Sequence, residues 1–217
     1  MIFPSRQLTL PAKLSWFYME VPSFLVSSAA IHHLGTIGDY HKILLLVPFC
    51  LHYLNRSIIY PLRISQGRPF PLLSSSSAFL FTLANGLMQS HAIITGDQPQ
   101  LSFLTLFGLL VFITGMTINI QSDAILRGLR GDRTSTSPEY RIPRGGLFSL
   151  VSCPHYAGEI LEWLGYCACV QSAASLWFSA FSLVFLGSRA VATHAWYREK
   201  FREEYPASRR AFIPYIL

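Results

Sequence analysis

The chain has 217 residues, 51% of them apolar and only 13% charged, with a formal net charge of +6. A soluble globular domain carries about a quarter charged residues, so this composition excludes an ordinary water-facing domain and points to lipid. The four cysteines, Cys50, Cys153, Cys167 and Cys169, form no C-x-x-C pair and sit in apolar stretches, which reads as buried thiols rather than disulfides or zinc ligands.

In chain order, residues 1–15 contain Arg6 and Lys13 but no apolar core of the signal-peptide kind. They are read as a short cytosolic N-terminus. A spanning helix needs about 20 mostly apolar residues. Six stretches qualify: Trp16 to Leu34, Lys42 to Tyr60, Leu72 to Ile94, Leu101 to Ile120, Leu147 to Gln171 and Ala173 to Ala192. Turn-formers separate them at Gly35 to Tyr40, Ser65 to Pro71, Gly96 to Gln100 and Gly128 to Gly146. Residues 194–217 form a cytosolic C-terminal tail. The fold class expected is all-α, a multi-pass transmembrane helical bundle of about six spans making one domain over residues 1–217.

Six crossings place almost all the basic residues, from Arg6 through Arg63, Arg127, Arg144 and Arg198 to Arg210, on one side. The other side carries Lys42 with Asp39 and Asp97. The positive-inside bias makes the basic side cytosolic.

Polar residues inside such spans are expensive and point to function. Glu20 lies in the first, where apolar surroundings favour its protonated, hydrogen-donating form. Helical spacing groups His52, Arg56 and Tyr60 on one face of the second, Asn119, Asp123 and Arg127 on the fourth, and His155, Glu159 and Trp163 on the fifth. The expectation is a polar pocket open to the cytosol. Asp123 with Arg127 also reads as a helix-end ion pair, and Trp16, Trp163 and Trp196 as interface anchors. His155 and Glu159 have no third ligand at a usual spacing, so no metal is expected. Arginines at the pocket mouth, Arg68, Arg130, Arg141 and Arg189, suit a phosphate-bearing cofactor. No G-x-G-x-x-G follows a strand, so a Rossmann site is not the means of binding it.

Several blocks carry a family resemblance: W-F-Y-M-E-V-P-S-F (16–24), H-Y-L-N-R-S-I-I-Y-P-L-R (52–63), G-R-P-F-P (67–71), G-M-T-I-N-I-Q-S-D-A-I-L-R-G-L-R (115–130), Y-R-I-P-R-G-G-L-F (140–148), V-S-C-P-H-Y-A-G-E-I-L-E-W-L-G-Y (151–166) and the C-terminal W-Y-R-E-K-F-R-E-E-Y-P-A-S-R-R-A-F-I-P-Y-I-L. Together they resemble the steroid 5α-reductases, also called 3-oxo-5-alpha-steroid 4-dehydrogenases. These are seven-helix enzymes of the endoplasmic reticulum membrane, with a cytosolic C-terminus, that reduce Δ4-3-ketosteroids with NADPH. The resemblance implies a steroid or sterol-like lipid substrate, and one further transmembrane helix ahead of Trp16 that this chain does not include. It assigns Glu20 and Tyr53 to the steroid 3-keto oxygen and Trp16 to the substrate cavity. It assigns Arg68, Asn119, Asp123, Arg130, Tyr140, Arg141, Glu159, Arg189 and Tyr197 to NADPH.

The chain departs from the family pattern at a few positions. Met19 stands where animal members have Gln, as in the plant branch. His155 stands at a family Asn, Ser65 at a cofactor-side Asn, and Thr193 at a cofactor-side His, with His194 beside it as a substitute. His155 and His194 are accordingly grouped with the cofactor residues. Three other readings stay open at this level: a polyprenol or trans-2-enoyl-CoA reductase of the same superfamily, an isoprenylcysteine-type membrane methyltransferase, and a non-catalytic sterol-binding form. Glu20 with Tyr53 argues against the methyltransferase, which needs neither.

Overall fold

The computed structural model describes residues 8–64, 67–97, 99–129 and 140–217. Arg130 lies outside the described residues, as does Ser65. The helices are α1 (Ala12–Thr36), α2 (Tyr40–Leu54), a π-helical turn (Asn55–Ile59) running into α3 (Tyr60–Arg63), α4 (Leu72–Thr95), α5 (Phe103–Gly128), α6 (Pro154–Val170) and α7 (Ala173–Phe201). Each of the predicted spans therefore falls on a long helix, and the chain is an all-α membrane protein. Three helical segments, Tyr40–Arg63, Phe103–Gly128 and Ala173–Glu204, are long and apolar enough by themselves to cross a bilayer. α1 and α4 have the length, but their apolar character is diluted by Glu20, His32 and His33 in one, and by Ser74 to Ser77, Asn85 and Gln89 in the other.

Exposure runs opposite to that of a soluble protein. Leu104, Leu106, Phe107 and Leu110 on α5 and Leu176, Trp177, Val184 and Phe185 on α7 face outward, whereas Ser23, Ser27, Thr82, Asn85, Gln89, Asn119 and Ser179 are buried. Apolar side chains turned outward suit lipid, and polar ones turned inward must find partners within the protein.

The chain forms two compact units, Met1–Gln98 and Pro99–Leu217. In the first, α1, the α2–α3 rod and α4 alternate in direction. Asp39 caps α2 by accepting from Lys42 N at 3.2 Å, and Lys42 Nζ reaches the Ile94 carbonyl at the end of α4 at 2.8 Å. At the opposite end, Thr9–Leu10 (β1) pairs antiparallel with Phe70–Pro71 (β2), just before α4. α1 and α4 interlock reciprocally. Ser23 Oγ donates to the Thr82 carbonyl at 2.6 Å, and Thr82 Oγ1 donates to the Met19 carbonyl at 2.5 Å. Gly86 permits this approach, since a Cβ there would lie 2.9 Å from Ser23 Cα.

In the second unit, α5 and α6 meet backbone to backbone. A Cβ on Gly115 would lie 2.5 Å from Glu162 N and from the Gly158 oxygen, and one on Gly108 would lie 2.6 Å from the Gly165 oxygen. The glycines recur every seventh residue on both helices, which keeps one seam in register. α6 is shorter than its predicted span of 147–171. The Gly146–Ser149 segment is a 3-10 turn, and Pro154 opens the helix at its first position, holding Cys153 outside it. At 17 residues and about 1.5 Å per residue, α6 is roughly 25 Å long, short of the ~30 Å hydrocarbon layer.

The tail after α7 folds back. Val151 and Arg210 form a parallel bridge, and Cys153 N donates to the Ala211 oxygen at 3.0 Å. Cys153, Ile160, Leu186, Ala190, Ala211 and Phe212 close a small apolar core between α6, α7 and the tail.

Because the seam contacts are backbone, which cannot move aside, Gly115→Ala is expected to cost about 1–3 kcal/mol. Its heat-unfolding midpoint in detergent should fall below wild type. Gly128→Ala, with nothing within 4 Å of the added atom, should leave the midpoint unchanged.

Candidate functional site

The first unit holds Trp16, Glu20, Tyr53 and Arg68. α1 and α2 are joined by a short connection and run antiparallel. Trp16 on α1 sits edge-on to Tyr60, with ring centroids 5.1 Å apart, and to Phe70 at 6.1 Å. The Arg56 guanidinium lies over the Trp16 ring at 4.6 Å and near the Tyr60 ring at 5.0 Å. Glu20, one turn further along the same face of α1, is half-buried. Its two flanks are pinned, because Met19 and Ser23 are the residues that bond to Thr82.

Tyr53 is 3% exposed near the end of α2. Asn85 Nδ2 donates to its phenolic oxygen at 3.2 Å, and Gln89 Nε2 donates to Asn85 Oδ1 at 3.2 Å. Phe49 and His52 pack on the Tyr53 ring at 4.7 and 5.1 Å. Thr82 and Asn85 occupy adjacent turns of α4, one touching α1 beside Glu20 and the other touching Tyr53. The same stretch of α4 thus holds the Glu20 backbone and the Tyr53 hydroxyl at one level.

Immediately after Tyr53 the helix widens into its π-turn, where Tyr60 N bonds to the Asn55 oxygen five residues back. Such turns are frequent at functional sites. This one adds a residue to the repeat, so a spacing of four no longer guarantees a shared face. Arg56 and Tyr60 do meet, on Trp16, while the His52 ring lies against Tyr53. Arg68 is exposed between the π-helical rod and β2.

The second unit holds the remaining predicted residues. Asn119 and Asp123, four apart on α5, are both buried. Asn119 Nδ2 donates to the His155 carbonyl at 2.9 Å and lies 3.5 Å from Glu159 Oε2, so one amide spans a turn of α6. The His155 ring lies 4.1 Å from that of Tyr156. The Arg189 guanidinium on α7 sits 5.5 Å over the Phe185 ring. Trp163 is buried against Phe178 at 4.5 Å, which makes it core rather than an interface anchor. Tyr140 packs edge-on to Trp196 at 5.0 Å, and Arg141 follows it, exposed.

His194 and Tyr197 lie where α7 meets the tail. His194 Nδ1 is 2.5 Å from Ser152 Oγ, which is also 2.6 Å from Tyr205 OH and donates to the Arg210 carbonyl at 3.1 Å. Tyr197 stacks on Tyr205 at 5.4 Å.

Asn85, Gln89, Ser152, Tyr205 and Arg209 are absent from the sequence-derived site. Asn85 and Gln89 carried a readable signal, since two amides four apart inside a spanning stretch need partners. Ser152, Tyr205 and Arg209 carried none, because only the returning tail brings them together.

Arg209 tests whether these residues suit a phosphate-bearing nicotinamide cofactor. It is 4% exposed, with its guanidinium 5.3 Å over the Tyr205 ring, and among the described residues its Nε and Nη1 have no hydrogen-bond partner. A buried guanidinium with two unfilled donors calls for an anion. With Arg189, Arg198 and Arg210 in the same unit, the residues fit such a group.

The 3-oxo-5-alpha-steroid 4-dehydrogenase family model matches residues 68–217. The steroid 5-alpha-reductase DET2 of Gossypium hirsutum is 39% identical over 217 residues, covering 96% of this chain and 83% of its own length. The 3-oxo-5-alpha-steroid 4-dehydrogenase 2 of Homo sapiens is 41% identical over 213 residues, covering 95% of this chain and 82% of its own. The DET2 of Arabidopsis thaliana is 37% identical over 219 residues. These matches include the stretch from Trp16 to Tyr60 that lies ahead of the family model, and they bear out the resemblance read from the sequence blocks. The chain belongs to the 3-oxo-5-alpha-steroid 4-dehydrogenase family.

Proposed function

We propose that this chain is an NADPH-dependent reductase that converts the Δ4 double bond of a 3-oxo-Δ4-steroid to the 5α-steroid. The observation that carries this reading is the shared stretch of α4 that pins α1 on either side of Glu20 and orients the Tyr53 hydroxyl. A Δ4-3-ketone is a conjugated enone, and drawing electron density onto its 3-oxygen makes C5 electrophilic. When bound, NADPH supplies the hydride for C5. Negative charge then grows on the 3-oxygen as an enolate, and a proton taken up from water at C4 restores the 3-ketone and completes the 5α-steroid. Tyr53 and a protonated Glu20 donate hydrogen bonds to that oxygen and stabilise the transition state more than the bound substrate. Fixed donors in a site shielded from water need little reorganisation. Trp16, with Arg56 and Tyr60 packed on it, lines the substrate side.

In the second unit, Asn119, Asp123, His155, Glu159, Arg189, His194 and Tyr197 hold the cofactor, with Arg209 on a phosphate. Arg130, Tyr140 and Arg141 complete its binding in this unit, and the sequence resemblance adds Arg68. The basic ends of the helices face the cytosol, where NADPH is available, and a steroid reaches its site from the lipid. The membrane is that of the endoplasmic reticulum, as the sequence resemblance implies.

Loss of one donor at a developing oxyanion typically slows turnover by about a hundred- to a thousandfold. Tyr53→Phe and Glu20→Gln are each expected to do so, with the KM for NADPH unchanged. Product analysis in membranes supplied with NADPH and a panel of Δ4-3-ketosteroids, enoyl-CoAs and polyprenols checks this. Wild-type turnover of the steroid by both variants would overturn the assigned roles, and turnover of another substrate alone would overturn the reaction.

Arg209→Leu is expected to raise the KM for NADPH by roughly tenfold or more, as loss of a charge-assisted bond of about 1.5–3 kcal/mol requires. Steady-state kinetics with NADPH varied at saturating steroid measures it. An unchanged KM would remove Arg209 from the cofactor set.

A further inference from the structure

We propose that Tyr205 is the positioning residue that holds the Arg209 guanidinium for a cofactor phosphate, gripping it through the ring face so that its N–H donors stay open. This inference rests on the cofactor role of Arg209 proposed above.

A long side chain that is not held in place loses rotamer freedom when an anion arrives, and binding weakens accordingly. A carboxylate could hold an arginine, but by filling the donors that the anion needs. An aromatic face attracts the same charge and accepts none of the in-plane N–H bonds. The tail is built in this second way. Tyr205 is 5% exposed and Arg209 4%. The Arg209 backbone N–H donates to the Pro206 carbonyl at 3.1 Å, in a turn that brings the guanidinium back over the Tyr205 ring at 5.3 Å. Its Nε and Nη1 have no hydrogen-bond partner among the described residues.

The ring is itself fixed. Tyr205 OH lies 2.6 Å from Ser152 Oγ, just ahead of α6. Tyr197 of α7 stacks on the ring, with centroids 5.4 Å apart and planes 9° apart. The backbone beyond Arg209 is tied separately. Arg210 N donates to the Leu150 carbonyl at 3.0 Å, and Ser152 N donates to the Arg210 carbonyl at 2.8 Å. Removing the ring therefore frees the guanidinium while the path of the tail stays bonded. Tyr205 touches no cofactor atom in this scheme and acts through Arg209.

The test is calorimetric titration of the detergent-purified chain with NADPH, without steroid, beside its heat-unfolding midpoint. Tyr205→Leu is expected to raise the Kd for NADPH by about five- to thirtyfold, the range for a desolvated cation–π contact. Tyr205→Phe keeps the ring face, and its Kd should lie within about threefold of wild type. In the Arg209→Leu background, Tyr205→Leu should cost less than about twofold more, because the contact it removes is already gone. With NADPH and a Δ4-3-ketosteroid both saturating, kcat of Tyr205→Leu should stay within about twofold of wild type, since only binding is lost. An unchanged Kd in Tyr205→Leu, Tyr205→Phe binding as weakly as Tyr205→Leu, or equal losses in both Arg209 backgrounds would overturn the proposal.

If Tyr205→Leu does not accumulate, successive ring fluorination of Tyr205→Phe decides. Fluorine draws negative charge from the ring face while the ring keeps its shape. The Kd for NADPH is expected to climb with each fluorine while the midpoint without NADPH holds. A Kd insensitive to fluorination would count against it. Wild-type Kd in Arg209→Leu would strike the phosphate role of Arg209, and this proposal with it. A weak Arg209→Leu with an additive Tyr205→Leu strikes only the positioning role.

Discussion

Two hydroxyls hold the first unit in register. Ser23 and Thr82 each donate to a backbone carbonyl on or beside the other, so α1 and α4 cannot slide past one another without breaking both bonds. Hydrogen bonds between helices in a membrane contribute only about 0.6 kcal/mol on average, so their main effect is to select a register rather than to supply stability. That register matters here because Glu20 lies between the two bonded residues of α1. The next turn of α4 carries Asn85 to Tyr53. A shift of one residue on either helix would change which residues of α1 lie level with Asn85 on α4.

The second unit solves a different problem with the same economy of small residues. Its polar side chains must be held between α5 and α6, and the glycine seam brings these backbones close enough for one Asn119 side chain to reach both a carbonyl and a carboxylate on α6. A larger residue in the seam would move Asn119 away from both. The returning tail then buries Arg209, which in an apolar setting is tolerable only with an anionic partner. The Ser152 hydroxyl, reached by His194, Tyr205 and the Arg210 carbonyl, fastens the tail to the start of α6.

Much of this was legible in the sequence, for physical reasons that can be named. Apolar length marks helices that meet lipid, so the long helices fall on the stretches read from composition. Glu20, Tyr53, Asn119, Asp123 and Glu159 stood out because a polar group in such a stretch needs a partner. The departures are equally physical. The second stretch, Lys42 to Tyr60, reads as regular helix, but the π-turn after Tyr53 breaks the four-residue repeat on which the His52, Arg56 and Tyr60 face depended. The fifth stretch is shorter than its apolar run because Pro154 sets the helix start. Trp163, which also reads as an interface anchor, proves to be core.

By itself, the sequence determined the all-α membrane class, the places of the helices and the family, because these follow from apolar length, charge distribution and ordered motif blocks. Only the tertiary structure decided which polar groups meet. Asn85 reaches Tyr53, and Ser152 gathers His194 and Tyr205, across 32 to 53 residues of chain. No local spacing encodes such pairings. They arise from the close approach of helices at glycine and serine positions and from a tail that folds back, and both depend on packing that exists only once the helices have assembled.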